Sequence, residues 1–349
     1  MNALTFQGKQ HISYTKIPDS QLLHDTDAIV KVTLCAICGS DLHVYHARET
    51  GLDCGTAMGH EFVGEIVALG KKVVSLKKGD QVLSPFTTNC GNCYYCCIGL
   101  TCRCVQGQLY GWVQNGLGLH GGQAQYVRVP LADSTLVKFN QSVSPEEALL
   151  IGDVRSTGFY CAHQADIQAQ GVYAVVGCGP VGLMAIIAAQ ELGAEKVYAI
   201  DNIPERLNLA QQFGAIPINF TQQNALAIIQ EATQGRGVDA VMECVGSPAA
   251  SRLSFDLIRF GGTISTVGVH TSTQFTFSPM EAYDKNVNFK IGRSPARYYL
   301  QQLLNNTPNS PYDICQIITH QFKLAEGAAA YTLFDKKQDG CIKVVLRNE

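Results

Sequence analysis

Residues 172–182, VYAVVGCGPVG, join an apolar strand pattern to a glycine-rich turn and the first turn of an apolar helix. The turn has the pattern Gly-x-Gly-x-x-Gly, formed by Gly177, Gly179 and Gly182. Gly177 suits a tight turn, Gly179 lets a phosphate approach the backbone, and Gly182 lets the helix pack on the strand. Backbone N–H groups at the N-terminus of that helix would face a pyrophosphate. The turn predicts a dinucleotide site with the contact residues Gly177, Gly179, Pro180, Val181 and Gly182.

An acidic residue follows the next strand pattern. Asp201 comes directly after Lys196–Ile200, 19 residues beyond Gly182, where a carboxylate can accept hydrogen bonds from the adenosine ribose hydroxyls. Such a carboxylate would repel a 2′-phosphate, so the pattern favours NAD over NADP. Arg206, five residues further on, is another candidate cofactor contact and leaves room for the use of both cofactors. The alternative is that the glycines only form turns and that Asp201 caps a helix.

Strand and helix patterns alternate around this turn. The predicted strands are 172–176, 196–200, 216–219, 239–245 and 263–267, and the predicted helices are 181–192, 205–213, 225–233 and 249–260. Strands that alternate with helices favour a parallel sheet covered by helices on both faces. The predicted fold class is therefore α/β, with a doubly wound Rossmann sheet.

The segment before this alternation has a different texture. Short apolar runs typical of β-strands occur at 28–34, 62–69, 80–83 and 123–129. Ser144, Pro145 and Glu147 form a helix-start pattern, from which a helix is predicted towards Ala165. Residues 313–349 add one helix pattern and one strand pattern, too few for a domain. The predicted organisation is a β-rich domain 1–155, a cofactor domain 156–295 and a return segment 296–349 that completes the first domain.

Composition limits the classes of function. The chain has 349 residues, of which 46% are hydrophobic and 16% charged, and a net charge of −3. A chain this apolar is not disordered, and no basic run offers a footprint for nucleic acid or an anionic membrane. Glycines and Pro180 interrupt the uncharged run 167–190, and residues 1–10 do not resemble a secretory signal. We expect a cytoplasmic protein that acts on a small molecule.

Six of the 14 cysteines are concentrated in residues 88–104. Cys90, Cys93, Cys96 and Cys104 have the spacing Cys-x2-Cys-x2-Cys-x7-Cys. Four thiolates on one short segment suit a closed tetrahedral Zn²⁺ site, which stabilises a loop and leaves no position for substrate. Cys97 and Cys102 remain as alternatives for one of these ligands. Free thiols without a metal are the other reading of this segment.

Three further motifs carry metal-binding or proton-transferring residues. They are Cys38-Gly39-Ser40-Asp41-Leu42-His43, Gly59-His60-Glu61 and Gly152-Asp153-Val154-Arg155. Spacing alone does not unite them. In this order, with the cysteine quartet and the dinucleotide turn, they resemble the zinc-dependent alcohol dehydrogenases of the medium-chain dehydrogenase/reductase family, over essentially the whole chain. The resemblance implies a β-rich GroES-like catalytic domain with a structural zinc lobe at 88–104, a Rossmann domain, and two zinc ions.

The resemblance also implies a ligand set for the catalytic zinc. Cys38 and His60 are implied as ligands, and Glu61 as a neighbouring carboxylate that ligates transiently. Asp153 stands where many members of the family have a second cysteine, and we take it as the third ligand. Cys161, eight residues further on, is the alternative. An oxygen ligand in place of sulfur would leave the metal somewhat more electrophilic.

Ser40 and His43 match the family's proton relay, which carries the alcohol proton to bulk water. Phe86 and Trp112 match positions that line the substrate pocket in related enzymes. The alternatives are a His43 that is only a surface residue and aromatic side chains that only pack in the core.

Other expectations concern supporting residues and assembly. Asp41 is expected to accept a hydrogen bond from His60 and to pair with Lys343. The stretch Gly121–Pro130 is assigned to structure without a derived role. Chain length is similar to that of the tetrameric bacterial members, which implies a homotetramer.

The leading hypothesis is an NAD-dependent zinc alcohol dehydrogenase acting on a small primary or secondary alcohol or a polyol, with an aldehyde or ketone as product. One alternative is a zinc-independent quinone or alkene reductase. Another is a non-catalytic, zinc-stabilised binding or structural protein on the same fold. The presence of both zinc motifs favours the dehydrogenase.

Overall fold

The structure, a computed structural model, describes residues 1–348. The chain forms two compact units: Met1–Ser156 together with the segment from Pro295 onward, and Thr157–Ser294. The first unit is therefore built from two stretches of sequence that flank the second. Within residues 1–348, no helix has both the length and the apolar character needed to cross a membrane.

Six parallel strands form the sheet of the second unit. Across the sheet their order is Ile216–Asn219, Lys196–Asp201, Val172–Val176, Val238–Glu243, Ile258–Thr266 and Asn288–Ile291. The helices of this unit are Pro180–Glu191, Pro204–Gln212, Ala225–Ala232, Pro248–Leu257 and Pro279–Lys285, and Ser156–Gln164 leads into it. The strand order reverses beside Val172–Val176, and sheets of this type open a crevice there at the carboxyl ends of the strands. The predicted doubly wound sheet is confirmed.

The glycine-rich turn has the geometry that its sequence predicts. Gly177 has a φ angle of +90°, a conformation that glycine adopts without steric cost. A Cβ atom on Gly182 would lie 1.8 Å from the Gly177 carbonyl oxygen, so only glycine allows the helix to start this close to the strand. The residues from Gly182 to Ala189 are all buried, which explains why this helix is apolar on every face.

One element boundary in this unit differs from the prediction. The helix predicted to reach Phe260 ends at Leu257, and strand Ile258–Thr266 begins directly after it. Ile258 pairs with Val238 whereas Thr263 pairs with Ala240, so the residues between them bulge from the ladder. Pairing with the neighbouring strand overrides the local helix pattern here. The edge strand Asn288–Ile291 lacked a sequence prediction altogether.

The first unit contains a seven-stranded sheet and two hairpins. The strands of the sheet are Ala28–Ile37, Phe62–Leu69, Gln81–Leu83, Tyr126–Val129, Val137–Lys138, Ile318–Lys323 and Lys343–Arg347. The hairpins are Asn2–Gly8 with His11–Lys16, and Trp112–Gln114 with Leu117–Leu119. The strands of the sheet pair antiparallel, except that Ile318–Lys323 and Lys343–Arg347 run parallel. The β-rich character predicted for this part of the chain is confirmed.

The helices of the first unit are short. They are Asp41–Tyr45, Tyr94–Cys97, Ala132–Thr135, Pro145–Leu150, Ala296–Asn306 and Gly327–Lys336, with single 3-10 turns at Thr101–Arg103, Thr307–Asn309, Ile314–Ile317, Leu324–Glu326 and Gln338–Gly340. The return segment supplies two strands where one was predicted. Its strand Lys343–Arg347 lies between Ile318–Lys323 and Ala28–Ile37, inside the sheet rather than at its edge.

The helix that starts after Ser144 contains a π-helical turn. Ser144 and Glu147 form the predicted capping box. The regular helix Pro145–Leu150 is followed by a π-helical turn, Ile151–Arg155, and then by helix Ser156–Gln164. The helical stretch predicted towards Ala165 is therefore confirmed, and the π-helical turn at its centre is an addition that the sequence did not predict. A Cβ on Gly152 would lie 2.7 Å from the Ser84 carbonyl oxygen, which shows how closely this turn packs. Asp153 lies in the turn, and such π-helical turns are frequent at functional sites.

Candidate active site

Four residues from three separate elements meet in the first unit. Cys38 follows strand Ala28–Ile37, His60 and Glu61 precede strand Phe62–Leu69, and Asp153 comes from the π-helical turn. One donor atom from each of the four lies within 4.8 Å of the others. Glu61 and Asp153 are buried, and Cys38 and His60 are half-buried. The sheet and the helix therefore assemble a group that sequence spacing does not unite.

The separations of these donor atoms fit a tetrahedral zinc ion. Cys38 Sγ lies 3.7 Å and His60 Nε2 lies 3.3 Å from Asp153 Oδ2. Zinc bonds of about 2.0–2.3 Å that point to the corners of a tetrahedron place ligand atoms roughly 3.3–3.8 Å apart. Burial would raise the pKa of the Asp153 carboxyl, but its hydrogen bond with His60 brings the pKa down to about 2. A thiol, an imidazole and an ionised carboxylate thus form a donor set that suits zinc.

His60 is oriented by Asp41. His60 Nδ1 lies 3.3 Å from Asp41 Oδ1, so the contact expected between them is confirmed. Asp41 Oδ2 accepts hydrogen bonds from the Cys38 backbone N–H at 3.0 Å and from Gln123 Nε2 at 3.3 Å. A carboxylate on the far nitrogen of a metal-binding histidine sets its tautomer and ring orientation. Gln123, which belongs to the stretch Gly121–Pro130, therefore helps to hold Asp41 in place beside His60.

Lys343 pairs with Glu61, so its expected pairing with Asp41 was wrong. Lys343 Nζ lies 2.8 Å and 2.5 Å from the two carboxylate oxygens of Glu61 and donates to the Ile37 carbonyl at 3.1 Å. The register of the sheet is the reason, because it sets Val344 opposite Ile37, at the end of the strand beside Glu61. Both side chains of the pair are buried. Burial would lower the pKa of Lys343, but the Glu61 charge outweighs it and raises the pKa, so the ammonium stays protonated.

Ser40 and His43 lie one turn apart at the start of helix Asp41–Tyr45. Ser40 is the N-cap residue, yet its hydroxyl makes no capping hydrogen bond. Its Oγ instead lies 3.3 Å from His60 Nε2. His43 is half-buried and its Nδ1 has no hydrogen-bond partner. Burial lowers the pKa of His43, which favours the neutral imidazole.

The cysteine quartet forms a second cluster in the first unit. One Sγ each from Cys90, Cys93, Cys96 and Cys104 lies within 4.8 Å of the others, and this group does not include Cys97 or Cys102. Cys104 Sγ accepts the Cys90 backbone N–H at 3.1 Å. Backbone N–H groups of Cys96 and Val105 lower the pKa of Cys93 to about 6. Four sulfur donors without an open position suit a structural zinc ion.

Asp201 holds the glycine-rich turn of the second unit. Its Oδ2 accepts the Cys178 backbone N–H at 2.7 Å, and its Oδ1 accepts the N–H groups of the next two residues at 2.7 and 3.0 Å. Arg206 Nη1 lies 3.8 Å from Asp201 Oδ2, and Arg206 Nε is buried without a hydrogen-bond partner. A Cβ on Gly179 would meet nothing closer than the Arg206 guanidinium at 3.7 Å. An orphaned cationic donor beside an open backbone turn fits the anionic part of a dinucleotide.

Two family models match the chain. Residues 24–141 match the alcohol dehydrogenase GroES-like domain, and residues 180–305 match the zinc-binding dehydrogenase domain. A zinc-type alcohol dehydrogenase B from Aspergillus flavus is 39% identical over 96% of this chain and 79% of its own length. The chain belongs to the zinc-type medium-chain alcohol dehydrogenases.

Other relatives agree with this assignment. A medium-chain reductase/dehydrogenase from Acremonium sp. is 42% identical over 81% of this chain and 98% of that protein. The solved alcohol dehydrogenase from Thermus sp. ATN1 is 38% identical and superposes with a TM-score of 0.94 over all of both chains. Zinc dependent alcohol dehydrogenase 2 from Streptococcus pneumonia is 32% identical with a TM-score of 0.92, over 100% of this chain and 99% of that one. The protein is thus an oxidoreductase of this family, with one GroES-like and one Rossmann-like domain.

The alternative third ligand of this dehydrogenase lies elsewhere. Cys161 is fully buried in the second unit, where its Sγ donates to the Ser265 carbonyl at 3.4 Å and lies 3.5 Å from the Ser265 hydroxyl. It belongs to neither of the two groups of metal-binding side chains found among residues 1–348. Asp153 is the side chain that completes the group around Cys38.

Phe86 and Trp112, the two aromatic residues predicted to line the substrate pocket, differ in their surroundings. Phe86 lies edge-to-face against His60, with ring centroids 6.4 Å apart. Trp112 begins the hairpin strand Trp112–Gln114 and packs, partly buried, against the core of the first unit. Phe86 is therefore beside the metal-ligand cluster, whereas the contacts of Trp112 are those of core packing.

Proposed function

We propose that this dehydrogenase oxidises the hydroxyl carbon of a small primary or secondary alcohol or polyol and passes the hydride to NAD, with one catalytic and one structural zinc ion. The observation that carries the proposal is the group formed by Cys38, His60 and Asp153. Their donor atoms have the spacing of a three-ligand zinc site, which leaves one tetrahedral position for substrate. A zinc-independent reductase or a purely structural protein would not need this group.

Zinc supplies a Lewis acid that lowers the pKa of the alcohol hydroxyl, and NAD supplies the hydride acceptor. The protein's own side chains keep the ligands in place. Asp41, held by Gln123, orients His60, and Lys343 holds Glu61 beside the ligand group. In this arrangement Glu61 stays close enough to ligate transiently, while its pairing with Lys343 favours the three-ligand set at rest.

Ser40 and His43 provide the exit for the alcohol proton in this proposal. Ser40 is well placed to accept the proton, because its hydroxyl is not used for capping and lies at the ligand group. His43 then takes the proton to bulk water. The lowered pKa of His43 supports this role, since a neutral imidazole can accept a proton near neutral pH whereas a charged one cannot.

The proposed NAD site is the glycine-rich turn of the second unit. Gly177, Gly179 and Gly182, with Pro180 and Val181 at the helix start, would face the pyrophosphate. Asp201 Oδ2 would use its remaining lone pair to accept a hydrogen bond from an adenosine ribose hydroxyl. Arg206 Nε, which has no hydrogen-bond partner, would donate to a phosphate or ribose oxygen. Asp201 would thereby combine two tasks, because it also holds the turn.

The proposal extends to substrate size, assembly and location. Phe86 beside His60 supports a small, partly apolar alcohol, and Trp112 is a second pocket candidate. Exposed large apolar side chains on and near the edge strand, Phe275, Met280, Tyr283 and Ile291, support association into a homotetramer. Thiolate zinc ligands require reduced cysteines, which supports a cytoplasmic location.

A steady-state screen tests this function. Purified protein would be assayed for metal content and for turnover of alcohols, polyols, aldehydes and ketones with NAD and with NADP. We expect about two zinc ions per chain, one for each ligand cluster, and turnover with NAD preferred. A protein that binds both zinc ions but turns over none of these substrates with either cofactor would refute the proposal.

A further inference from the structure

A buried carboxyl group at the carboxyl edge of the second-unit sheet joins two neighbouring turns. Glu243 ends strand Val238–Glu243 and is 0% exposed. Its Oε1 accepts the backbone N–H groups of Val245 and Gly246 at 2.8 and 2.7 Å. Its Oε2 lies 3.0 Å from Nε2 of His270, in the segment that follows strand Ile258–Thr266. Glu243 therefore ties the turn after its own strand to the turn after the next strand.

The same two turns are also in contact through their backbones. The Glu243 carbonyl accepts the N–H groups of Val267 and Gly268 at 3.0 and 3.2 Å. A Cβ on Gly246 would lie 2.4 Å from the Val269 carbonyl oxygen, and a Cβ on Gly268 would lie 2.2 Å from the Gly246 nitrogen. The two segments are in direct backbone contact, so a shift of residues 267–270 would move the turn 244–246 as well.

The turn 244–246 borders the proposed cofactor site. The strand order reverses between Val172–Val176 and Val238–Glu243, and the crevice of such a sheet lies between the turns that follow these two strands. A Cβ on Gly177 would lie 2.4 Å from Val245 Cγ2, so the Val245 side chain packs directly against the glycine-rich turn. The Val245 side chain is 48% exposed. Glu243 and His270 thus hold the turn that carries Val245 beside the glycine-rich turn.

We propose that His270 is a positioning residue for the nicotinamide dinucleotide: through its hydrogen bond to Glu243 it holds the turn 244–246 where the cofactor binds. This inference rests on the proposed cofactor use of the enzyme. His270 lies in the second unit, whereas the proposed zinc ligands lie in the first. A change at His270 should therefore affect cofactor binding and not zinc binding. Loss of the contact should raise the cofactor Kd and KM, without loss of zinc and without a fall in kcat at saturating cofactor.

The test compares His270→Ala with His270→Gln, whose amide N–H restores a donor, and with His11→Ala as a control. His11 is exposed on the hairpin strand His11–Lys16 and contacts the Ser13 hydroxyl at 2.9 Å. NADH and NADPH affinities of the zinc-loaded proteins would be measured by fluorescence titration, with Tm, zinc content and steady-state kinetics alongside. We expect His270→Ala to weaken binding of the preferred cofactor about 5- to 20-fold, the effect of one lost hydrogen bond to a buried carboxylate. His270→Gln should recover most of this, and His11→Ala should stay within about twofold of the parent protein.

A His270→Ala protein with a lower Tm but unchanged cofactor affinity would show that the contact only stabilises the fold, and this would overturn the inference. Equal losses in His270→Ala and His11→Ala would overturn it too. If His270→Ala does not fold, His270→Phe, which keeps a ring but donates no hydrogen bond, takes its place, and an unchanged cofactor Kd in that variant would overturn the inference. A parent protein that binds neither NADH nor NADPH would instead refute the proposed function, so the two failures are distinguishable.

Discussion

Replacing Lys343 by methionine should destabilise the first unit strongly. Methionine is similar in size to the aliphatic part of lysine, so packing is largely kept while the ammonium is removed. The ammonium lies 2.8 and 2.5 Å from the Glu61 oxygens and 3.1 Å from the Ile37 carbonyl. After the substitution, the Glu61 carboxylate, 1% exposed, would remain buried without its ammonium partner.

The size of the effect follows from these contacts. Removing one partner of a buried ion pair costs about 3–5 kcal/mol, and the lost bond to the Ile37 carbonyl adds about 1 kcal/mol. We therefore expect Lys343→Met to lower the free energy of unfolding by about 4–6 kcal/mol. Adding Glu61→Gln removes the stranded charge, so the double variant should recover at least about 2 kcal/mol of that loss.

The assay is urea unfolding, followed by tryptophan fluorescence, of protein that carries only the structural zinc ion, so that no catalytic ion compensates Glu61. The pH is kept above 7, because burial raises the pKa of Glu61 to about 7 and the expected loss requires the ionised carboxylate. Trp112 is the single tryptophan of the chain and belongs to the first unit, so the signal reports the unit that carries the pair. A loss below about 1 kcal/mol in Lys343→Met, or no recovery in the double variant, would show that Glu61 bears no charge in the folded protein. Lys343 would then stabilise the first unit only through its packing.

Three further outcomes are expected. Asp153→Asn should reduce the zinc content to the structural ion and lower kcat by more than about 100-fold, whereas Cys161→Ser should do neither; the opposite pattern in metal analysis and kinetics would move the ligand to Cys161. Asp201→Asn keeps the shape of the side chain but not its charge, so the ratio of NAD to NADP affinity should fall about tenfold; equal losses with both cofactors in binding titrations would mean that Asp201 only holds the turn. Cys93→Ser should release the structural zinc and lower the Tm while the catalytic ion stays bound; unchanged metal content would argue against the quartet.

The second unit was predictable because its signals are local. The strands around the glycine-rich turn are marked by short apolar runs, and the turn itself by its three glycines, so the elements between Val172 and Thr266 fall within a few residues of their predicted places, whereas helix Pro279–Lys285 and strand Asn288–Ile291 were not predicted. The shifted boundary at Leu257 is set by a neighbour in space. Ile258 leaves the helix pattern because it pairs with Val238, and that pairing is not written in the local sequence.

The two candidate metal-binding groups differ in the same way: one is marked by local sequence and the other is not. The cysteine quartet is contained in 15 residues, and its spacing alone predicts a metal site. Cys38, His60 and Asp153 are brought together only by the sheet and the π-helical turn, so the resemblance to a known family was needed to group them. The pairing of Lys343 with Glu61 spans 282 residues of chain. No pattern within the sequence distinguishes Glu61 from Asp41 as the partner of that lysine, because both carboxylates lie near the same strand ends.

The position of strand Lys343–Arg347 inside the first-unit sheet has a consequence for biosynthesis. The ribosome makes this strand only after the whole of the second unit, which is continuous in sequence and can fold as soon as it emerges. The first unit must wait with a gap beside Ala28–Ile37, and Glu61 has no counter-ion until Lys343 arrives. In the proposed zinc enzyme, an ion bound before that moment would lie beside a Glu61 that still lacks its ammonium partner, and the late strand would then supply the lysine that favours the three-ligand set.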